Sequence, residues 1–133
     1  MPIINLKISL PKGSKNLQLI ANELTHLTEK ILKKKPEVIA ITISSVDAEN
    51  WFINKTSLKQ LNQNSFYLDI KVTDGTNSKD EKSEFVKAAF NFMNSILQNL
   101  HTESYVYVEE VKADAYGFGS LTQEYRYITN QNK

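Results

Sequence analysis

Two predicted strands flank one amphipathic helix in the first third of the chain. Residues 3–9 alternate apolar and polar side chains, which predicts a β-strand. From Ser14 the apolar residues recur every three or four positions until Pro36, a spacing typical of a helix with one buried face. Residues 38–44 are apolar and β-branched, as in a buried strand. The order strand, helix, strand predicts a βαβ unit.

The same order of elements recurs in the second half. Residues 65–73 and 104–111 each have the composition of a strand. Between them, Ser78 and Glu81 have the spacing of a capping box, in which each side chain bonds the other residue's backbone N–H at a helix start. The helix is expected to run to about residue 99. A second βαβ unit follows from this pattern.

The two units superpose at an offset of about 64 to 65 residues, which is typical of an internal duplication. Ile8 then falls opposite Val72, and the aromatic turn at 50–54 falls opposite 115–119. Right-handed crossovers place each helix on a fixed side of its strands. The sequence therefore predicts an α+β fold in which duplicated βαβ units form a four-stranded sheet, with two helices on one face.

We interpret residues 1–133 as one domain, since this length suits a single core. The first unit takes residues 1–55, a linker takes 56–64, and the second unit takes 65–133. The second unit is expected to end in a short edge strand at Gln123–Ile128. Because the strands read as apolar on both sides, the sheet face without helices predicts an oligomer packed sheet to sheet.

Composition narrows the function classes. Hydrophobic residues make up 41% of the chain and charged residues 23%. No apolar run approaches the ~18 residues of a membrane span, and the first ten residues do not have the pattern of a secretory signal. We therefore expect a cytoplasmic protein. Cysteine is absent, which excludes disulfides and thiolate chemistry. His26 and His101 are far apart, so no metal site is expected. A net charge of +1 gives no general attraction to nucleic acid or anionic membranes.

Pro2 directly follows Met1 and directly precedes the first strand. If Met1 is kept, the proline nitrogen is an amide without basicity. If Met1 is removed, the same nitrogen is a secondary amine that can accept a proton, and α-amino groups start near a pKa of ~7.7–8.0. Pro2 is therefore a candidate general base, although a small second residue is also common simply because it permits methionine removal.

Pro2 before a strand, a duplicated βαβ unit and an aromatic and glycine segment after each second strand together resemble the tautomerase superfamily. SLPK (9–12) and NELT (22–25) are similar to the macrophage migration inhibitory factor (MIF) group, and AYGFGS (115–120) is similar to 4-oxalocrotonate tautomerase (4-OT). The resemblance covers nearly the whole chain. Fused members of this superfamily assemble as trimers, so the resemblance implies a MIF-like fold and a homotrimer.

The resemblance further implies a cofactor-independent enzyme. Its substrate would be a small carboxylate, a 2-keto or enol acid, and Pro2 would move a proton alpha to the carbonyl. An apolar pocket beside cations would lower the pKa of the amine and leave free base at neutral pH.

Three cations are candidates for binding the substrate carboxylate. By resemblance, Lys12 takes the loop position of an arginine in the short tautomerases, and Lys34 matches the lysine near the catalytic proline of the MIF group. Arg126 would serve if the C-terminal strand crosses a subunit boundary; the alternative is a surface residue on an edge strand. Lysine supplies charge without the bidentate geometry of arginine.

Three aromatic residues are candidates for the pocket wall. Trp51 matches an aromatic residue that lines the pocket of the short tautomerases. Tyr105 and Tyr107 match a strand that reaches the neighbouring subunit's site in the MIF group. Their alternative role is ordinary core or interface packing, which is common for these residue types.

Other positions depart from the superfamily pattern. The second arginine of the short tautomerases corresponds to Ala40, and the paired arginines of the dehalogenases fall at Thr73 and Thr76. Their water-positioning acid aligns with Ala115, beside Asp114, so hydrolytic dehalogenation is not supported.

Two further functions stay open. A decarboxylase or hydratase of a small unsaturated or 3-oxo acid would use the same Pro2 with an acidic partner, for which Asp69 and Asp114 are candidates. The other open possibility is a catalytically inactive oligomeric binding protein. The second unit has Phe66 where the first has Pro2, so one site per chain is expected.

Overall fold

The computed structural model describes residues 2–10 and 17–129. The long elements confirm the predicted order, and two short hairpins and two further helices join them. In chain order the elements are β1 (Ile3–Ile8), α1 (Leu17–Leu32), β2 (Ala40–Ser45), β3 (Phe52–Ile53), β4 (Thr56–Ser57), α2 (Leu58–Leu61), β5 (Phe66–Thr73), α3 (Lys79–Ile96), β6 (Tyr105–Val111), β7 (Gly117–Phe118), β8 (Leu121–Thr122) and α4 (Gln123–Thr129).

The main sheet has four strands in the order β2-β1-β5-β6. Each βαβ unit contributes one parallel pair, and the two units meet through the antiparallel pair of β1 and β5. At the centre of that pair Asn5 lies opposite Asp69, two residues that an offset of 64 makes equivalent. The fold class predicted from the duplication is confirmed.

The core lies between the sheet and the two long helices. Ile4 and Leu6 of β1 and Ile70 of β5 are fully buried, as are Leu24 of α1 and Phe85 of α3. Burying side chains of this size stabilises a fold by about 1.5–3 kcal/mol each. The helices α1 and α3 also contact each other, and the predicted capping box of Ser78 and Glu81 starts α3.

The opposite face of the sheet is polar, and the expectation of strands apolar on both sides is wrong there. Residues that alternate with the core positions include Asn5, Asp69, Lys71 and Glu109, which share one face because paired residues in neighbouring strands do. The Lys71 ammonium lies 2.9 Å from the Asp69 carboxylate and 3.4 Å from that of Glu109. Tyr105 and Tyr107 lie on the same face, opposite Tyr67 and Asp69, so a second copy there would meet aromatic rings as well as charges.

Residues 56–64, expected as a linker, carry secondary structure. Thr56–Ser57 pairs with Phe52–Ile53, so the boundary expected after residue 55 falls inside a hairpin. The Ser57 hydroxyl then accepts the Gln60 N–H and starts α2. A hairpin and a helix in the same order, β7, β8 and α4, follow β6, so these elements belong to the repeat.

The edge strand expected at Gln123–Ile128 is wrong, because these residues lie in α4. The Tyr125 N–H donates to the Thr122 hydroxyl and so satisfies one free donor of the helix start. Gln123 is buried and Arg126, three residues later, contacts Phe118, so the inward positions follow a helical period. Tyr125 and Tyr127 of this helix are exposed.

Candidate active site around Pro2

Pro2 is buried at the start of β1, next to the edge strand β2. Its carbonyl accepts the Ala40 N–H at 3.2 Å, which ties the proline to that strand. A cavity of about 350 Å³ opens beside it, and its wall combines β1, β2 and the hairpin of β7 and β8. The lining residues are Pro2, Ile3, Glu37, Val38, Ile39, Ala40, Tyr116, Gly117 and Phe118.

The wall of this cavity is mostly apolar. Among the described residues that line it, Glu37 alone has a charged side chain, and Glu37 is itself exposed to solvent. A titratable group in such surroundings loses hydration, which disfavours its charged form. The cavity therefore suits a neutral amine better than an ammonium ion.

Tyr116 forms part of the wall and was not among the residues selected from the sequence. Its hydroxyl donates to the Lys71 carbonyl at 3.0 Å. Burial raises the pKa of the Tyr116 hydroxyl, while the Ile3 N–H and the Lys71 charge partly offset that rise. The available signal was the AYGFGS segment, in which Tyr116 is the counterpart of Trp51 in the repeat.

Arg126 supports this wall from behind. Its guanidinium carbon lies 4.0 Å from the centroid of the Phe118 ring, and Nη2 donates to the Phe118 carbonyl at 2.9 Å. Phe118 lines the Pro2 cavity and Arg126 is absent from the lining. Within one chain the arginine thus contacts the site through the ring of Phe118.

Lys34 borders a second cavity of about 480 Å³. This cavity shares Val38 with the Pro2 cavity, so the two adjoin. The Lys34 ammonium donates to the Thr76 hydroxyl at 2.9 Å. Burial lowers the pKa of Lys34, and the Glu81 carboxylate partly offsets that shift. The lining residues are Lys33, Lys34, Lys35, Val38, Thr73, Asp74, Thr76, Ala113, Gln123, Glu124 and Tyr127.

Gln123 adds a polar atom to this second cavity. The residue is 6% exposed, and its side-chain oxygen has no hydrogen-bond partner within the described parts of the chain. A buried acceptor without a partner costs free energy unless something donates to it. The cavity thus combines three lysines and two acidic side chains, Asp74 and Glu124, with an unsatisfied acceptor.

None of the three aromatic residues predicted from the sequence lines the Pro2 cavity within one chain. Trp51 belongs to the first-half hairpin, where its carbonyl accepts the Leu58 N–H at 2.8 Å. Tyr105 and Tyr107 lie on β6, at the opposite edge of the sheet from β2, and are 57% and 51% exposed. The Glu103 carboxylate accepts from the Tyr105 hydroxyl and raises its pKa.

Comparison with solved structures identifies the architecture. The fused 4-OT called F6, an asymmetric trimer, aligns with a TM-score of 0.75 and 15% identity over 91% of this chain and 97% of that chain. A MIF-like protein from Entamoeba histolytica aligns with a TM-score of 0.72 and 16% identity over 91% and 97%. The chain has the tautomerase superfamily fold. At 15% and 16% identity, these comparisons show a shared fold and nothing further.

A third structure with this tautomerase fold is Pt0534 inactivated by 2-oxo-3-pentynoate. It aligns with a TM-score of 0.77 and 6% identity over 92% of this chain and 98% of that chain. No protein-family model and no curated protein matches the sequence.

The two units of the tautomerase fold differ at the position of the proline. Phe66, the second-half counterpart of Pro2, is fully buried and has no titratable group. Its ring lies 6.0 Å from that of Phe90, so it is part of the core. Lys12, expected to bind a carboxylate, lies outside the described residues.

Two kinds of feature are absent from the described residues. No helix among them is both long and apolar enough to cross a membrane. Across the same residues, no group of three or more His, Asp or Glu side chains is arranged to hold a metal ion.

Proposed function

We propose that this chain is a cofactor-independent tautomerase of a 2-keto or enol acid, with Pro2 as general acid and base once Met1 is removed. The observation that carries the proposal is the burial of Pro2 beside a largely apolar cavity. A tautomerase fold alone would permit many functions, so the site must supply the argument.

The environment favours a neutral Pro2 amine. A free α-amino group has a pKa of ~7.7–8.0, and apolar walls lower that value because they disfavour the cation. Ile3, Val38 and Phe118 supply such walls. Glu37 acts in the opposite direction, but its exposure to water weakens the effect. Free base at neutral pH is the form that removes a proton.

The proposed reaction moves one proton and changes no oxidation state overall. The Pro2 lone pair takes a proton from the carbon alpha to the carbonyl, the C–H electron pair forms the enolate double bond, and the carbonyl oxygen takes the charge. Returning the proton to carbon gives the keto form, and returning it to oxygen gives the enol. Such proton transfer by a positioned base contributes typically ~10²–10⁴-fold to rate.

Lys34 is the proposed partner of the substrate carboxylate. Its cavity adjoins the Pro2 cavity at Val38, so an elongated acid can have its reacting carbon near Pro2 and its carboxylate near the ammonium. An anion there replaces the hydration that Lys34 loses on burial. Lys12 stays a second proposed cation.

The active assembly is proposed to be a homotrimer, the state named for the fused 4-OT structure. Edge strand β6 presents Tyr105 and Tyr107, which would line the Pro2 cavity of a neighbouring subunit. Trp51 stays a proposed wall residue of the same kind. Two exposed tyrosines on an edge strand provide both apolar area and hydroxyl donors for such a contact.

The first test combines intact mass spectrometry with an ultraviolet assay of phenylpyruvate and 2-hydroxymuconate on the same sample. Loss of one methionine together with turnover supports the proposal. An uncleaved N-terminal extension converts the Pro2 nitrogen into an amide, and turnover should fall at least ~10²-fold. Pro2→Ala still has a terminal primary amine after Met1 is removed, so its turnover should fall less. An extended protein as active as the trimmed one would exclude Pro2 as the base.

The two acidic residues selected from the sequence do not support the decarboxylase or hydratase alternative. Such an enzyme needs an acidic partner near Pro2, yet the Asp69 carboxylate bonds Lys71 and Asp114 does not line the cavity. Glu37 does line it, so this alternative would have to use Glu37 as the acid. The mass and rate measurements separate the tautomerase from an inactive binding protein. A chain that has lost Met1 but turns over neither acid would fit the binding protein.

A further inference from the structure

The peptide bond between Met1 and Pro2 comes immediately before the main sheet in the sequence. Pro2, on one side of this bond, is buried. The next residue, Ile3, is the first of β1 and is paired with Ala40 of β2 and with Lys71 of β5. Within the described residues 2–10, Pro2 thus joins the paired strand without a loop between them.

The start of β1 is held from both sides. β1 is an inner strand of the sheet, between β2 and β5. The Pro2 carbonyl accepts the Ala40 N–H at 3.2 Å, so the bonding to β2 reaches the proline itself. Ile4, two residues after Pro2, is fully buried in the core. Freeing Pro2 and Ile3 from the sheet therefore breaks backbone hydrogen bonds and exposes apolar surface.

Removal of Met1 is a hydrolysis that needs access to both sides of this bond. Water adds its hydroxyl to the Met1 carbonyl carbon, the C–N bond breaks, and the proline nitrogen takes a proton. An aminopeptidase must hold the residues that flank the bond in its own cleft. Folded chains are cleaved where they are exposed or open transiently, at a rate that follows the open population. Pro2 and Ile3 cannot enter a protease cleft while they belong to the sheet.

We propose that folding closes access to the Met1–Pro2 bond, so that Met1 must be removed before β1 joins the sheet. The inference rests on the proposed role of Pro2 and adds the step that controls it. A chain that folds with Met1 in place keeps the Pro2 nitrogen as an amide, which cannot accept a proton. The active fraction is then set during synthesis, and later contact with the aminopeptidase adds little to it.

The strength of this control depends on how far the start of β1 frays, because strand ends open more easily than the centre of a sheet. The bond from Ala40 can be removed by substitution. Ala40 is the first residue of an edge strand, where proline is tolerated. Ile39, the residue before it, already has the extended backbone that a following proline requires, with φ −91° and ψ 119°.

The test measures the loss of Met1 from folded protein by intact mass. Protein that keeps Met1 is expressed while the cellular methionine aminopeptidase is inhibited, checked by circular dichroism, and treated with the purified enzyme. A peptide of residues 1–7 gives the rate for the same bond without the fold. A control protein with Pro-Gly-Ser-Gly-Ser inserted after Met1 places the same kind of Met–Pro bond ahead of a flexible linker.

The folded parent should lose Met1 at least about 10-fold more slowly than the peptide, the factor that one or two backbone hydrogen bonds provide. The linker protein should match the peptide within about 2-fold. Ala40→Pro should be trimmed about 3-fold faster than the folded parent or more, because the start of β1 opens more often. Trimming of the folded parent as fast as the linker protein would overturn the inference. If trimmed protein turns over no acid, the proposed function fails, but the masses still decide this inference because they need no substrate.

Discussion

Arg126 stacks on Phe118 and also bonds its carbonyl, so one side chain holds both the ring and the backbone of a cavity wall. The guanidinium carbon is 4.0 Å from the ring centroid, and Nη2 is 2.9 Å from the carbonyl oxygen. Arg126 is the chain's single arginine. The planar guanidinium can stack on the ring while its N–H groups donate in its own plane, whereas an ammonium has no plane to stack.

Replacing this arginine should loosen the wall. Arg126→Lys keeps the charge but loses the stack and the aligned donor, and we expect the free energy of unfolding to fall by about 1–2 kcal/mol. Urea denaturation monitored by circular dichroism measures the change. Lys59→Gln serves as a control, since its partner Glu49 is well exposed and that pair should contribute nothing measurable. Equal stability of Arg126→Lys and the parent would contradict the role of the stack.

Gly119 should resist substitution for two reasons. It has a φ of +56°, and an added Cβ would lie 2.8 Å from the Arg126 guanidinium. Gly75 has a φ of +78° and open space around it. Gly75→Ala therefore reports the backbone strain alone, about 1–2 kcal/mol, and Gly119→Ala should cost more in the same denaturation experiment. A smaller cost at Gly119 than at Gly75 would show that Arg126 moves aside freely.

Lys34 should affect substrate binding more than the chemical step. Lys34→Gln removes the charge proposed to meet the carboxylate, and KM should rise roughly 10-fold with kcat little changed. Lys30→Gln removes a neighbouring charge on α1 that borders neither cavity. Steady-state kinetics with the acid that the parent turns over makes the comparison. A KM unchanged by Lys34→Gln would move the carboxylate site elsewhere, with Lys12 the next candidate.

Lys34 should also make stability depend on pH. Burial lowers its folded-state pKa below the ordinary 10.5 that the unfolded chain regains. Between those two values the unfolded chain binds more protons than the folded one, so the free energy of unfolding rises with pH. Subtracting the value for Lys34→Gln cancels the other groups. The difference, from urea denaturation at neutral pH and upward to 10.5, should increase, and a flat or falling difference would contradict the shift.

Local patterns predicted the main elements well because burial imposes a period on apolar residues. Ile4 and Leu6 alternate toward the core, and the spacing in α1 follows its buried face. In α4 the inward residues are Gln123 and Arg126, which are polar, so apolar periodicity could not reveal the helix.

The site was harder to predict because distant segments build it. Pro2 was recognisable from its position, whereas Tyr116 meets it after the hairpin has folded back against β1. Arg126 was selected as a ligand for substrate but packs behind Phe118. The polar sheet face was missed because Asp69 and Lys71 stand among apolar residues of β5 and pair with each other only in the folded strand.

The pairing of Asn5 with Asp69 at the centre of the sheet has a consequence for the history of the chain. Joining two equivalent units through one polypeptide leaves a single chain-terminal amine where separate copies would each have had one. No point mutation at Phe66, not even to proline, can restore a second terminal amine, because the nitrogen of an internal proline is an amide. Regaining it would require a break in the covalent chain ahead of β5. The asymmetry between the two halves therefore follows from how the chain is joined, and substitutions at individual side chains cannot reverse it.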